Sequence, residues 1–240
     1  MALPMNSTPI YNLVVPSTKQ SVKYRPFLVK DQKTLLIAQQ SADQKVMIDT
    51  LKEVIKSCIT EPIDISKLAI FDIEYIFTQL RSKSVGETVD IVLSCDEDHG
   101  SDNERAKVSH TIDLSQIKVQ EKEGHTDKIL LFNEVGVVMK YPNIDDIKKL
   151  QGTNGVSTDD TFKLIASSIE YIYDNEEIYY AKDQTQKELM DFINNLTSEQ
   201  FAKIQNFFDT MPKMTHTINY NCPVCNKAHT VVLEGMESFF

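Results

Sequence analysis

Apolar and polar positions change period several times along the chain, and each change marks an element. From Asp43 to Cys58 the residues Val46, Met47, Leu51, Val54, Ile55 and Cys58 recur at three- and four-residue intervals. That spacing sets them on one helix face and predicts the face, Cys58 included, to be buried. After a connection holding Pro62, Ile70, Ile73, Phe77 and Leu80 repeat the pattern, with Asp72, Glu74, Arg81 and Lys83 on the remaining turns. A second amphipathic helix is predicted there, ending near Gly86. The period then falls to two. Val89, Ile91, Leu93 and Cys95 alternate with Thr88, Asp90, Val92 and Ser94, and Val108, His110, Ile112 and Leu114 do the same beyond CDEDHGSDNERA. This predicts a β-hairpin with a long polar tip. A further strand pair is expected across Lys128–Lys140, turning near Asn133, Glu134 and Gly136 and ending at Pro142.

Beyond Tyr141 the pattern reads as helical. Phe162, Ile165, Ala166, Ile169, Ile172 and Tyr173 are predicted to share one helix capped by Thr158 or Asp159. Thr185 with Glu188, and Thr197 with Gln200, have the spacing of capping boxes, so helices near 186–195 and 198–209 follow. Pro212 closes the last, and His216–Tyr220 pairs with Thr230–Leu233 around NCPVCNKAH. This hairpin is similar to the first: TVDIVLSC and VSHTIDL stand against THTINYNC and HTVVLEG. At the other end, residues 1–20 combine prolines with Ser, Thr and Asn and hold no period, which suggests an extended arm. The next stretch places apolar runs on either side of Lys30-Asp31-Gln32, as an extended segment or hairpin or, from Leu35, the start of a helix. The expected fold is α+β, helices packed with antiparallel hairpins. The arm 1–20 leads into an α+β region 21–142, then a helical region 143–240 ending in the Cys-x-x-Cys hairpin.

Composition narrows the function classes. A chain of 240 residues, 41% hydrophobic and 25% charged, can bury a core of ordinary density. Its 25 Lys+Arg against 35 Asp+Glu give a net charge of -10, which repels phosphate backbones and anionic lipid, so nucleic acid is not an expected partner. No apolar run approaches the roughly 18 residues of a membrane span, and the start MALPMNSTP lacks the features of a signal peptide. Folding in a cytoplasm, without membrane insertion, is the expectation.

Four cysteines, Cys58, Cys95, Cys222 and Cys225, are too sparse and uneven for a disulfide framework. Cys222-Pro-Val-Cys225 at a hairpin tip is the strongest chemical signal, since two thiolates so spaced can chelate one tetrahedral Zn²⁺. It supplies half a site. The remaining ligands are Cys95 with Asp98 or His99 from the other hairpin, or His229 just downstream. Cys95 is favoured, because two similar tips facing one ion would explain the likeness of the hairpins. A redox role for the pair would require it to follow a strand and open a helix, whereas strands flank it on both sides. His110, His125 and His216 have no partner that spacing identifies. Arg81 and Lys83 either answer the dipole at a helix C-terminus or form a docking surface for a partner protein. Asp96-Glu97-Asp98 and Asp159-Asp160 lack calcium-loop spacing and suit solvated surface.

KYRPFLVKDQKTLLIA at 23–38, FDIEYIFTQLRSKSVGE at 71–87 and the ending CPVCNKAHTVVLEGMESFF together resemble the baseplate hub subunit family of T-even-like phages. MKYPNIDDI and NFFDTMPKMTH fall between them in the expected order, so the resemblance spans nearly the whole chain. It implies a structural or assembly role at a contractile-tail baseplate hub, with other phage tail and hub proteins as partners. It also implies a place in the virion, reached by assembly in the host cytoplasm, and no enzymatic activity. The departure is CDEDHG in the first hairpin, where a paired ligand motif is expected. A transient tail-assembly chaperone absent from the mature virion shares these features. A zinc hydrolase would need an open metal position and a carboxylate base, and no His-x-x-x-His spacing supplies them.

Overall fold

In the computed structural model, which describes residues 7–41, 43–97, 99, 106–150 and 157–235, the chain is a mixed α+β protein of seven α-helices and small antiparallel sheets. It begins with a hairpin. β1 (Tyr11–Val14) pairs with β2 (Ser21–Tyr24), Tyr11 opposite Tyr24. Residues 7–20 are therefore not the free arm expected from their composition. Leu13, Val15, Val22 and Tyr24 are all buried in one core with the helices that follow. The short apolar run Leu13-Val14-Val15 outweighs its polar flanks once a partner strand is available. The tight turn after it, with Lys19 at φ 57°, is closed by the Lys19 N–H to Val15 carbonyl bond of 2.9 Å.

α1 (Val29–Ser41) and α2 (Gln44–Cys58) form a helical hairpin, and α3 (Ile70–Ser84) runs through the core. α2 starts where Asp43 accepts the amides of Lys45 and Val46, and it buries Leu51, Val54, Ile55 and Cys58 as the spacing predicts. α3 is enclosed on several sides, with Phe71, Asp72, Ile73, Ile76, Thr78, Leu80 and Ser82 all buried. Its first turn is held by Asp72, which accepts the Ala69 amide at 3.0 Å, the Ser17 amide at 2.8 Å and the Ser17 hydroxyl. Burial pushes the Asp72 carboxyl up, and those donors pull part of the way back.

β3 (Thr88–Ser94) and β4 (Lys107–Asp113) make the first predicted hairpin, Thr88 opposite Asp113. After β5 (Lys118–Gln120), β6 (Lys128–Phe132) and β7 (Val135–Met139) turn at Asn133, whose φ is 46°. α4 (Ile144–Leu150) and α5 (Thr158–Ser167) follow, then β8 (Ile169–Tyr173) and β9 (Ile178–Tyr180), giving a sheet in the order β6-β7-β8-β9. The single helix expected to reach Tyr173 thus stops at Ser167. Ser168, fully buried, ends it by donating its amide to Leu164 and Ile165 and its hydroxyl to Leu164. Ile169-Glu-Tyr-Ile-Tyr173 then runs as a strand beside β7, where β-branched and aromatic residues pack well. Ile165 and Ile169 enter the same core from different elements, so helical spacing alone misreads the boundary.

α6 (Gln186–Asn194) and α7 (Ser198–Thr210) start at the predicted capping boxes, Thr185 with Glu188 and Thr197 with Gln200. β10 (Lys213–Asn221) and β11 (Ala228–Glu234) form the last hairpin, which joins β5 in the order β11-β10-β5. Three cores result. One joins β1 and β2 to α2, α3 and Ile144; another packs β6, β7 and β8 against α5, α6 and α7; the third lies between the β3–β4 and β10–β11 hairpins. These cores do not follow a division at residue 142, because strands from both sides share the second and third.

Candidate metal centre

Two hairpins 127 positions apart place cysteines at equivalent points, Cys95 just past β3 and Cys222 just past β10. Each closes its tip through its own amide: Cys95 N–H to the Ala106 carbonyl and Cys222 N–H to the Lys227 carbonyl, both 2.9 Å. In the second tip the Asn226 amide returns to the Cys222 carbonyl at 2.9 Å, with Asn226 at φ 59°, and the Val224 amide donates to Cys222 Sγ at 3.4 Å. Asparagine tolerates that left-handed backbone better than most side chains. Beneath the tips, Leu93, Ile112, Leu114, Met214 and Ile218 bring the hairpins together, and the Tyr220 hydroxyl donates to the Ser94 carbonyl at 2.9 Å.

The packing gathers Cys95, His99, Cys222 and Cys225, whose candidate ligand atoms all lie within 4.8 Å of one another. Cys95 Sγ is 3.9 Å from Cys225 Sγ, and Cys222 Sγ is 3.4 Å from His99 Nε2. Tetrahedral zinc with Zn–S of about 2.3 Å and Zn–N of about 2.0–2.1 Å has ligand–ligand edges of roughly 3.5–3.8 Å. The donor set and its spacing therefore fit that ion. Cys95 and Cys222 are buried and Cys225 is exposed. Burial pushes the Cys222 thiol up, but the amides of Cys225 and Val224 and the neighbouring thiols outweigh it and lower its pKa to about 6. Cys95 moves the other way, raised by burial and by the two cysteines beside it against the opposing Glu97 amide. One thiolate is thus favoured before any metal binds, and a cation would favour the others.

Hairpin similarity favours Cys95 beside the Cys-x-x-Cys motif and leaves Asp98 or His99 open; the structure brings His99 into the cluster. Asp98, the alternative to His99, lies outside the described residues. His229 is near but separate: its Nε2 is 3.3 Å from Cys95 Sγ, and with Asp96 it forms a second group around Cys95 alone. The tip carboxylates Asp96 and Glu97 are exposed, as solvated surface should be, with Lys227 paired to Glu97 and 3.9 Å from Asp96. Sequence spacing missed Tyr220 as the brace between hairpins; its signal is the aromatic ring at the position matching Leu93. Cys58 belongs to the first core.

Arg81 and Lys83 stand elsewhere, at the end of α3. Lys83 pairs with Glu87 and lies 5.6 Å from the Tyr11 ring centre, while burial pulls the half-buried Arg81 below its usual range. A cavity of about 670 Å³ between the units is lined by Ser17, Lys67, His125, Tyr141 and Glu170 among others. His125 there is engaged by Thr210 Oγ1 at 2.9 Å and Tyr141 Oη at 3.0 Å, and burial lowers its pKa. No described helix is long and apolar enough to cross a membrane.

Residues 8–240 match the family described as T4 bacteriophage base plate protein. The chain belongs to that family. It is also similar to the baseplate hub assembly protein gp26 of Enterobacteria phage T4, with 23% identity over 219 residues that cover 91% of this chain and 92% of the relative. No solved structure matches the chain. Membership over nearly the full length assigns a structural or assembly role in a phage baseplate.

Proposed function

We propose that this chain works at the hub of a contractile phage tail baseplate, as a structural or assembly subunit acting through protein–protein contacts. The observation that carries this is the co-linear match along about nine-tenths of both this chain and a hub assembly protein, which leaves little room for a different use of a shared module. Its partners are other tail and hub proteins, and its place is the tail baseplate, with the host cytoplasm as the site of assembly. The net charge of -10 disfavours nucleic acid as a competing partner.

Within this role a structural zinc ion on Cys95, His99, Cys222 and Cys225 ties the two hairpins together. Four protein ligands fill the tetrahedron, so the metal holds no activated water and its role is structural. The ion's contribution is folding free energy, delivered where two exposed tips have little core of their own.

The hub role is tested by tagging the chain in an infected host and following it through baseplate intermediates and purified tails. Co-purification with hub intermediates is expected. Presence in intermediates but not in finished tails would make it a transient assembly factor, and absence from both would refute the hub role. Metal analysis of protein purified without added zinc tests the ion. About one equivalent is expected, lost in Cys95→Ser, His99→Ala and Cys225→Ser; a parent protein without zinc refutes the site.

A further inference from the structure

The zinc site proposed above leaves one imidazole beside it without a task. His229 Nε2 reaches Cys95 Sγ at 3.3 Å but stands outside the mutually close group of Cys95, His99, Cys222 and Cys225. We propose that His229 is not a zinc ligand but a positioning residue, donating a hydrogen bond from Nε2 to the Cys95 sulfur and so holding that ligand on the metal. The proposal rests on the zinc assignment.

Strand register fixes the ring. Tyr220 and His229 face each other directly across β10 and β11, and their rings stack with centres 5.0 Å apart and planes at 16°. Tyr220 is in turn held against the first hairpin through its bond to Ser94, the residue before Cys95. The imidazole is thus aimed at the Cys95 sulfur by packing that exists without a metal. On the far side of the ring, Asp96 Oδ1 is 3.5 Å from Nδ1. That is too long for a good hydrogen bond, so Nδ1 has no strong claim on the hydrogen and Nε2 can carry it.

A thiolate bound to zinc keeps lone pairs that accept such a bond, which both orients the sulfur and spreads its charge. Three thiolates and one neutral imidazole around Zn²⁺ leave one net negative charge, and an N–H directed at a sulfur stabilises it. Cys222 has the corresponding contact from the Val224 amide. Loss of a hydrogen-bond partner to a metal ligand typically weakens metal affinity about 10–100-fold.

The test compares full-length protein with His229→Ala, His229→Phe and His229→Gln, using chelator competition for zinc and the absorption spectrum of the cobalt-substituted protein. His229→Phe keeps an aromatic ring on Tyr220 but has no N–H, whereas His229→Gln keeps a donor. Expected results are one zinc per chain throughout, affinity about 10–100-fold lower in the Ala and Phe variants, and recovery towards the parent in the Gln variant. The thiolate-to-cobalt band should keep the intensity of three thiolates but shift in the Ala and Phe variants. Phe behaving like the parent would assign the effect to ring packing and overturn the proposal, as would unchanged affinity in all three variants. Loss of zinc in His229→Ala with retention in His99→Ala would make His229 the ligand, overturning its donor role while the zinc site stands. A parent protein without zinc would overturn both.

Discussion

Cys95 Sγ lies 3.9 Å from Cys225 Sγ although 130 residues separate them in the chain. A metal at that contact joins hairpins that otherwise meet through the small third core, the Tyr220–Ser94 hydrogen bond, the Lys227–Glu97 pair and the His229 contact with Cys95. Removal of zinc by a chelator should therefore loosen this unit ahead of the others. In hydrogen exchange followed by mass spectrometry, peptides from β3, β4, β10 and β11 should gain deuterium faster after chelation, and those from α2 and α3 should not. Uniform acceleration would mean that the ion supports the whole fold rather than the hairpin pair.

Much of the centre was legible because its parts repeat. The alternation in TVDIVLSC and THTINYNC predicts two hairpins of like geometry, and equivalent cysteines at their tips predict a shared site. Choosing His99 over His229 required the structure, since separation along the chain does not tell which ring enters the cluster and which backs a ligand. Helix starts at Thr185 and Thr197 were readable from capping chemistry, which is local, and the helix from Asp43 from its apolar spacing. The β1–β2 hairpin and β8 were not, because their stability comes from partners far along the chain. The docking face read at Arg81 and Lys83 stays a proposal: seven of the fifteen residues of α3 are buried, neither of these two among them, and Lys83 pairs with Glu87 beside the Tyr11 ring.

The pair of buried Asp31 and half-buried Arg25 should make stability depend on pH. Burial alone would raise the Asp31 carboxyl, but Arg25 at 2.7 Å, the Leu28 amide and Ser57 together hold it below its ordinary range. A carboxyl lowered in the folded state contributes stability above its unfolded pKa and loses it as pH falls through the folded value. Asp31→Asn removes the charge opposite Arg25, which keeps the Pro26 carbonyl and Ser57, so a loss of about 1.5–3 kcal/mol is expected near neutral pH. Urea unfolding at a series of pH values should show the difference from the parent shrinking once pH falls below about 4. A difference independent of pH would mean that the pair contributes only packing.

Gly136 tests the packing of the four-stranded sheet. A Cβ at this position would stand 2.7 Å from the Ile129 carbonyl oxygen and overlap the Tyr173 ring, which lies across the glycine opposite it in β8. Tyr173 could move, but the β6 backbone could do so only by disturbing its ladder with β7. Gly136→Ala should cost about 1–3 kcal/mol in denaturant unfolding. Zinc content should stay at the parent level, because the sheet belongs to a different core from the metal centre. A neutral substitution would show that β6 and β7 can separate at no cost.

The N-terminal hairpin supplies a test of how far the fold extends towards the start of the chain. Leu13 and Val15 are buried in the first core, so Leu13→Ala should cost about 2–5 kcal/mol. Deletion of residues 1–20 should abolish the cooperative thermal transition rather than only weaken association with a partner. Ser17→Ala is the finer probe, because it removes the hydroxyl that donates to the Asp72 carboxylate and leaves the amide bond in place. Burial has already raised the Asp72 pKa, so its ionised form depends on the donors that remain. A raised acid binds its proton more readily folded than unfolded, and its burden on stability therefore grows as pH rises through the folded value. Ser17→Ala should accordingly cost about 1–3 kcal/mol at a pH where the carboxyl is ionised and less at an acid pH where it is protonated. Equal losses at both pH values would show that the hydroxyl does not stabilise the charged form, and a truncated chain that melts like the parent would place β1 outside the cooperative fold.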